Sequence, residues 1–141
     1  MKPPPPYEST VDHPLTTNDD ILQRVGELFD KALRRQLWLL FVDELDVQLP
    51  FLLPIEGIPV RPTAPRSEAI TAILDRAGSA AGATGVIVVL ERFASAEVQN
   101  ADREWARLVR GAATEAGLDF RAAVIIHSAG ARMLEPEDYA G

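Results

Sequence analysis

The chain has no cysteine and only two histidines in 141 residues, His13 and His127. The first absence excludes a disulfide framework and any thiolate-held metal. The second leaves no histidine pair at helix or loop spacing, so a two-histidine metal site would require the N-terminal segment to fold back onto the body. No apolar run approaches the roughly 20 residues of a membrane-spanning helix. The opening Met1-Lys2-Pro3-Pro4-Pro5-Pro6 lacks the apolar segment of a signal peptide, and cytoplasmic is the expected location. Basic residues are also short, 14 against 21 acids, for a formal charge of -7. That balance argues against broad phosphate-backbone binding and is read as a solubility device. No Gly-x-Ser-x-Gly elbow, P-loop or Gly-x-Gly-x-x-Gly fingerprint occurs.

What is present fits one folded domain behind a tail. Hydrophobic residues make up 47% of the chain, with a mean hydropathy near zero, as in water-soluble globular proteins. Residues 1–17 carry four consecutive prolines and little that can be buried, which predicts a disordered or polyproline-II tail. A docking role for Pro3 to Pro6 is the less economical reading. Residues 18–141 form the predicted domain, centred on the stretch from Thr84 to Ala116. There the unbroken apolar run Gly85-Val86-Ile87-Val88-Val89-Leu90 leads through Glu91-Arg92 into a small-residue loop and a long amphipathic helix. Such a strand–loop–helix passage is where α/β proteins commonly place their chemistry.

Thr17 or Asn18 is expected to cap a first helix, with Asp19 and Asp20 in its first turn. The helical spacing of Ile21, Val25, Leu28, Phe29, Ala32 and Leu33 carries it towards Arg35, and Lys31, Arg34 and Arg35 suit its far end. Leu37 to Val42 does not alternate and reads as a strand buried on both faces. Asp43-Glu44 turns it into a half-exposed return strand through Leu45, Val47 and Leu49. Pro50 and Pro54 remove ladder donors, so Phe51-Leu52-Leu53 belongs at an edge or end of the sheet. A second helix is predicted over residues 67–80, stopped by Gly82. The third spans residues 95–116, with Val98, Ala101, Trp105, Leu108, Val109, Ala112 and Ala116 inward. A strand over Ala122 to Ile126 and a short edge strand over Arg132 to Leu134 complete the order α-β-β-α-β-α-β-β. This predicts an α/β (α+β) domain of three layers with a mixed sheet between helices.

In this order and in several local stretches the chain resembles the RadC-like branch of the JAB/MPN (JAMM) metallopeptidase-fold superfamily. Phe41-Val42-Asp43 resembles the family's strand ending in Leu-Asp, and Pro65-Arg66-Ser67-Glu68 its Pro-Arg-Glu helix start. Val86 to Val89 stand where an apolar strand enters His-x-His-Pro-Ser-Gly, but the motif positions read Leu90-Glu91-Arg92-Phe93-Ala94-Ser95. Asn100-Ala101-Asp102 resembles the Ser-x-x-Asp helix start, with the loop shifted by a residue. Arg103 to Gly117 and Ala122 to Ile126 match the ensuing helix, glycine and strand. The resemblance spans residues 36–139. It implies a fold in which two histidines and an aspartate hold zinc for amide hydrolysis. Leu90 cannot ligate and Arg92 repels a cation, so only Asp102 remains of that set. The implied protein is a metal-free, catalytically dead member with no cofactor.

Position singles out the remaining candidates. Asp43, Glu91, Arg92 and His127 lie just past strands, and Asp102 opens a helix. If the strands run parallel, the last four converge on one rim. Glu91, Asp102 and His127 are then weak catalytic candidates for acid–base work, and Arg92 and Asp43 binding candidates. The plainer alternative is that Arg92 pairs with Asp102 or Glu91 and neutralises the former ligand pocket. His127, although beside Ser128, reads as a surface or loop histidine, because neighbours on a strand face opposite ways. Arg103, Arg107 and Arg110 follow one helix face, broken by Glu104 and Glu115, and read as a solvated face. Apolar residues from Phe51 to Val60 are a candidate interaction surface, including a homodimer through the sheet edge. The expected function is a non-catalytic protein-interaction or regulatory domain. The alternative is a small-molecule binder or metal-independent hydrolase using the Glu91, Arg92, Asp102 and His127 rim.

Overall fold

The computed structural model describes residues 14–29 and 31–140. Residues 1–13, and with them most of the predicted tail and Pro3 to Pro6, lie outside the described residues. The folded body begins earlier than residue 18. Leu15 is buried, and its N–H donates to the Asp46 carbonyl at 2.7 Å.

Helix α1 spans Asn18–Leu28 and is started by a reciprocal capping box between Thr17 and Asp20. Strands β1 (Gln36–Val42) and β2 (Gln48–Glu56) follow, then α2 (Ala64–Ala81) and β3 (Gly85–Glu91). Helix α3 covers Asn100–Glu115, β4 Asp119–His127, β5 Gly130–Met133, and a single-turn α4 Pro136–Tyr139. The expected order is present, with α4 added. Gly82 ends α2 in the left-handed region at φ 69, where a Cβ is penalised. A Cβ at Gly85 would meet Val42 Cγ2 and Arg121 Cγ at 3.0 Å each, so the start of β3 needs glycine for close packing.

The strands make one open mixed sheet in the order β2-β1-β3-β4-β5. Only β3 and β4 run parallel, joined by the α3 crossover, and the other neighbours are antiparallel. β3 is central and buried at all seven positions, as its unbroken apolar run requires. Strand periodicity divides its side chains between two cores. Val86, Val88 and Leu90 face α2 and α3 together with Leu37, Leu39, Ile125 and Trp105. Ile87 and Val89 face the other way, with Leu40, Val124, Ile126 and the Ile21 and Val25 stripe of α1. Helix α1 lies mainly over β4 and β5 and reaches β2 through Arg24, whose Nε donates to Gln48. No helix among the described residues is long and apolar enough to cross a membrane.

Several boundaries differ from expectation: α2 and β4 each begin three residues earlier and β5 two, and three further shifts have a visible side-chain cause. α1 stops at Leu28, and Phe29 takes an extended conformation, φ -128 and ψ 120. The N–H groups of Leu33 and Arg34, which a longer helix would bond to its own carbonyls, donate instead to Glu91. Lys31, Arg34 and Arg35 therefore follow the helix rather than occupy its last turn. The return strand begins three residues later than expected. Asp43 accepts from the N–H groups of Leu45 and Val47, holding Leu45 in a turn where it is 71% exposed. α3 begins at Asn100 rather than Ser95, because the guanidinium of Arg92 takes the carbonyls that the missing turn would have used.

Candidate functional site

The polar ends of β3 and β4 lie side by side, because parallel pairing sets Glu91 opposite Ile126. Alternation along β3 then separates neighbours. Glu91 falls on the α1 face with Ile87 and Val89, whereas Arg92 reaches Asp102 at the start of α3 on the opposite face. His127 shares the parity of Ile125 and lies on the Arg92 side. The sheet therefore divides the expected rim. Arg92 pairs with Asp102, His127 lies on the same side within reach of the Arg92 charge, and Glu91 does not join them.

Glu91 is 4% exposed and accepts four hydrogen bonds. One oxygen takes the N–H groups of Leu33 and Arg34 at 2.7 and 3.1 Å. The other takes Gln36 Nε2 at 2.7 Å and Trp38 Nε1 at 3.0 Å. Burial alone raises a carboxyl pKa. Here the bonds from Trp38, Leu33, Gln36 and Arg34 outweigh it and hold Glu91 below its ordinary value. A carboxylate with its lone pairs occupied and a depressed pKa is a poor proton acceptor. It fastens the α1–β1 connection to the central strand.

Arg92, 2% exposed, uses all five of its donors. Nε and Nη2 grip Asp102 at 2.9 Å each, in the bidentate geometry that suits guanidinium and carboxylate. Nη1 donates to the carbonyls of Phe93 and Ser95, and Nη2 to that of Glu97. Asp102 also accepts from the Gln99 N–H in the α3 capping box. The loop between β3 and α3 is thus wound around one buried cation. Within it Ala94 sits at φ 89, an unfavourable region for a residue with a Cβ, and its N–H and C=O bond Ser128 Oγ and N–H.

His127 is not the surface or loop histidine expected from sequence: it is the last residue of β4 and only 7% exposed. Its Nδ1 accepts from the Ala129 N–H, which places the neutral ring's proton on Nε2. Burial, then the positive charges of Arg92 and Arg132, pull its pKa below the ordinary histidine value. Ser128 is committed to Ala94, so no nucleophile–base pair forms with His127. Asp43 lies at the opposite end of the sheet, since antiparallel pairing sets Val42 against Gly85, and its carboxylate is spent on the β1–β2 turn. On α3, Arg103 pairs with Asp138 and Arg110 donates to the Tyr139 carbonyl, so α4 covers part of the basic stripe. No group of three or more His, Asp or Glu side chains among the described residues is placed to share a metal ion.

Sequence reasoning did not find a cleft of about 610 Å³ on the α1 face, beyond the end of that helix. Because α1 lies over β4 and β5, the outer face of β1 and β2 is left partly uncovered there. Trp38, Leu52 and Pro54 form the floor, with Phe29 and Leu33 beside them and Glu91 at the inner end. Trp38 is fixed by its bond to Glu91 and by the Phe29 ring, 5.1 Å away between centroids. At the opposite end of the strands the same face is closed by Arg24, whose Nε donates to Gln48 at 2.7 Å. The only local signal was an aromatic residue in β1 facing the proline-bearing β2.

No protein-family model matches the sequence, and no curated protein matches it.

Proposed function

We propose that the chain is a non-catalytic binding domain built on a JAB/MPN-like sheet whose metal site has been replaced by an internal ion pair. One observation carries the reading: Arg92, at a motif position of the resembling family, binds Asp102 through two bonds and fills its other donors with loop carbonyls. A guanidinium beside that carboxylate excludes a dication by charge and by volume. Glu91, the other acid at the strand end, is saturated and on the wrong face to assist Asp102 or His127. What the end of the sheet retains is a rigid scaffold next to an open cleft, which suits recognition rather than turnover.

The binding surface on this reading is the sheet face beside β2, not its backbone edge. β2 is an edge strand, and Pro54 within it has no N–H to offer a further strand. Self-association by strand pairing near Phe51 to Val60 is correspondingly disfavoured, and light scattering of the full chain is expected to give a monomer. The decisive measurement is metal content after zinc incubation and gel filtration. The expected result is no retained zinc and no peptide hydrolysis. Stoichiometric zinc, or hydrolysis lost on Asp102→Asn, overturns the proposal.

A further inference from the structure

We propose that the cleft over β1 and β2 binds a flat, largely apolar small molecule bearing an anionic group, its body on Trp38, Leu52 and Pro54 and its charge at Lys31 and Arg34. This deepens the binding-domain reading and rests on it, by naming a ligand class. The cleft volume, about 610 Å³, falls within the range of small-molecule sites. Its wall is preorganised: the Trp38 indole is tied to Glu91, and Phe29 packs against it, so little rotamer freedom remains to be lost on binding.

The sign of the ligand follows from the four charged groups lining the cleft, Lys31, Arg34, Glu56 and Glu91. Glu91 has no free lone pair for a ligand donor, since four protein donors occupy it. Arg34 reaches Glu56 only at 3.6 Å, with both side chains about two-thirds exposed, a pair that an incoming anion can exchange at little cost. Lys31 is exposed and makes no ion pair among the described residues. Glu91 also fixes the backbone N–H groups of Leu33 and Arg34, which sets the segment carrying both cations at the cleft. With Glu91 filled by protein donors, the cleft offers a ligand two cations, Lys31 and Arg34, against one exposed acid, Glu56, above an aromatic and aliphatic floor.

Two dyes of nearly equal bulk, anilinonaphthalene sulfonate and uncharged N-phenylnaphthylamine, separate the anionic contribution from the apolar one. The full chain is expected to bind the sulfonate saturably at one site, about fivefold to tenfold more tightly than the neutral dye. The preference is expected to shrink as salt is raised. In Lys31→Glu/Arg34→Glu, two exposed changes checked for an unaltered thermal midpoint, the preference should vanish while neutral-dye affinity stays within about twofold. Affinity for both dyes should fall about fivefold in Trp38→Ala, checked for retained folding, because the indole forms the cleft floor. Equal affinity for the two dyes, or a preference that survives charge reversal, overturns the anionic assignment. Undiminished affinity for both dyes in Trp38→Ala, or no saturable binding of either dye, overturns the cleft as the site. Zinc content tests the parent reading separately and is unaffected by any of these outcomes.

Discussion

The two faces of the sheet end hold their acids in opposite ways. On the α2/α3 side a buried carboxylate meets a buried cation. On the α1 side, one residue earlier in β3, a buried carboxylate meets only neutral donors: two main-chain N–H groups, an amide and an indole. The first arrangement neutralises charge and consumes the space around it. The second leaves a charged anchor whose donors extend outward into the wall of a cleft. The difference teaches that an acid at a strand end need not be a catalyst. It can be the device that shapes its surroundings, and the partner type decides whether those surroundings close or stay open.

Removing one member of the ion pair tests the closed side most severely. Asp102→Ala leaves a buried guanidinium without its counter-charge and is expected to cost about 3–5 kcal/mol, measured by denaturant unfolding. The paired replacement Arg92→Met/Asp102→Leu should recover much of that loss, although the loop carbonyls lose their donor. If the single and double variants are equally unstable, the pair is not the source of the effect. On the open side, Glu91→Gln substitutes a donor where donors already converge and should cost about 2–3 kcal/mol. It should also shift Trp38 emission, which Asp102→Ala should leave unchanged in the folded protein. An unshifted spectrum in Glu91→Gln would break the contrast.

Acid acts on both sides, with the same sign. The folded pKa of His127 lies below its ordinary 6.5, so the unfolded chain binds more protons beneath that pH. Its contribution is complete above pH 6.5 and is lost as pH falls through the folded value. Glu91 behaves likewise from its ordinary 4.5 downward. Stability should therefore decline in two stages on acidification. His127→Asn is expected to flatten the upper stage and leave the lower one, as followed by thermal midpoints across pH. The smallest effect is expected at Ala94, whose φ of 89 favours glycine. Ala94→Gly should gain up to about 1 kcal/mol, reduced by the extra freedom glycine brings to the unfolded chain.

Local sequence carried much of the fold. The Thr17–Asp20 cap, the unbroken runs of β1, β3 and β4, the stop at Gly82 and the edge position implied by Pro54 all follow from nearest-neighbour chemistry. The end of α1 and the start of α3 do not. Both are decided by side chains reaching from elsewhere: Glu91 bonds the N–H groups of Leu33 and Arg34 across more than fifty residues, and Arg92 strips carbonyls from the segment before α3. Helical periodicity cannot register such competition. Adjacency in sequence also made Glu91 and Arg92 look like one site, whereas the β pleat sends them to different faces. The cleft was illegible for a related reason, since it exists because α1 lies mainly over β4 and β5 and ends short of the Trp38 end of β1 and β2. No pattern within α1 states which strands it will cover.

The consecutive placement of Glu91 and Arg92 has a consequence for sequence change. Each is a rivet for a different layer, and the two are separated by a single peptide bond. One residue inserted or deleted within Val86–Leu90 would exchange them, turning a guanidinium towards the neutral donors of the α1 face and a carboxylate towards Asp102. Point substitutions in this strand are a matter of volume, but a change of length by one unfastens both layers together. β3 should therefore drift in composition far more readily than in length.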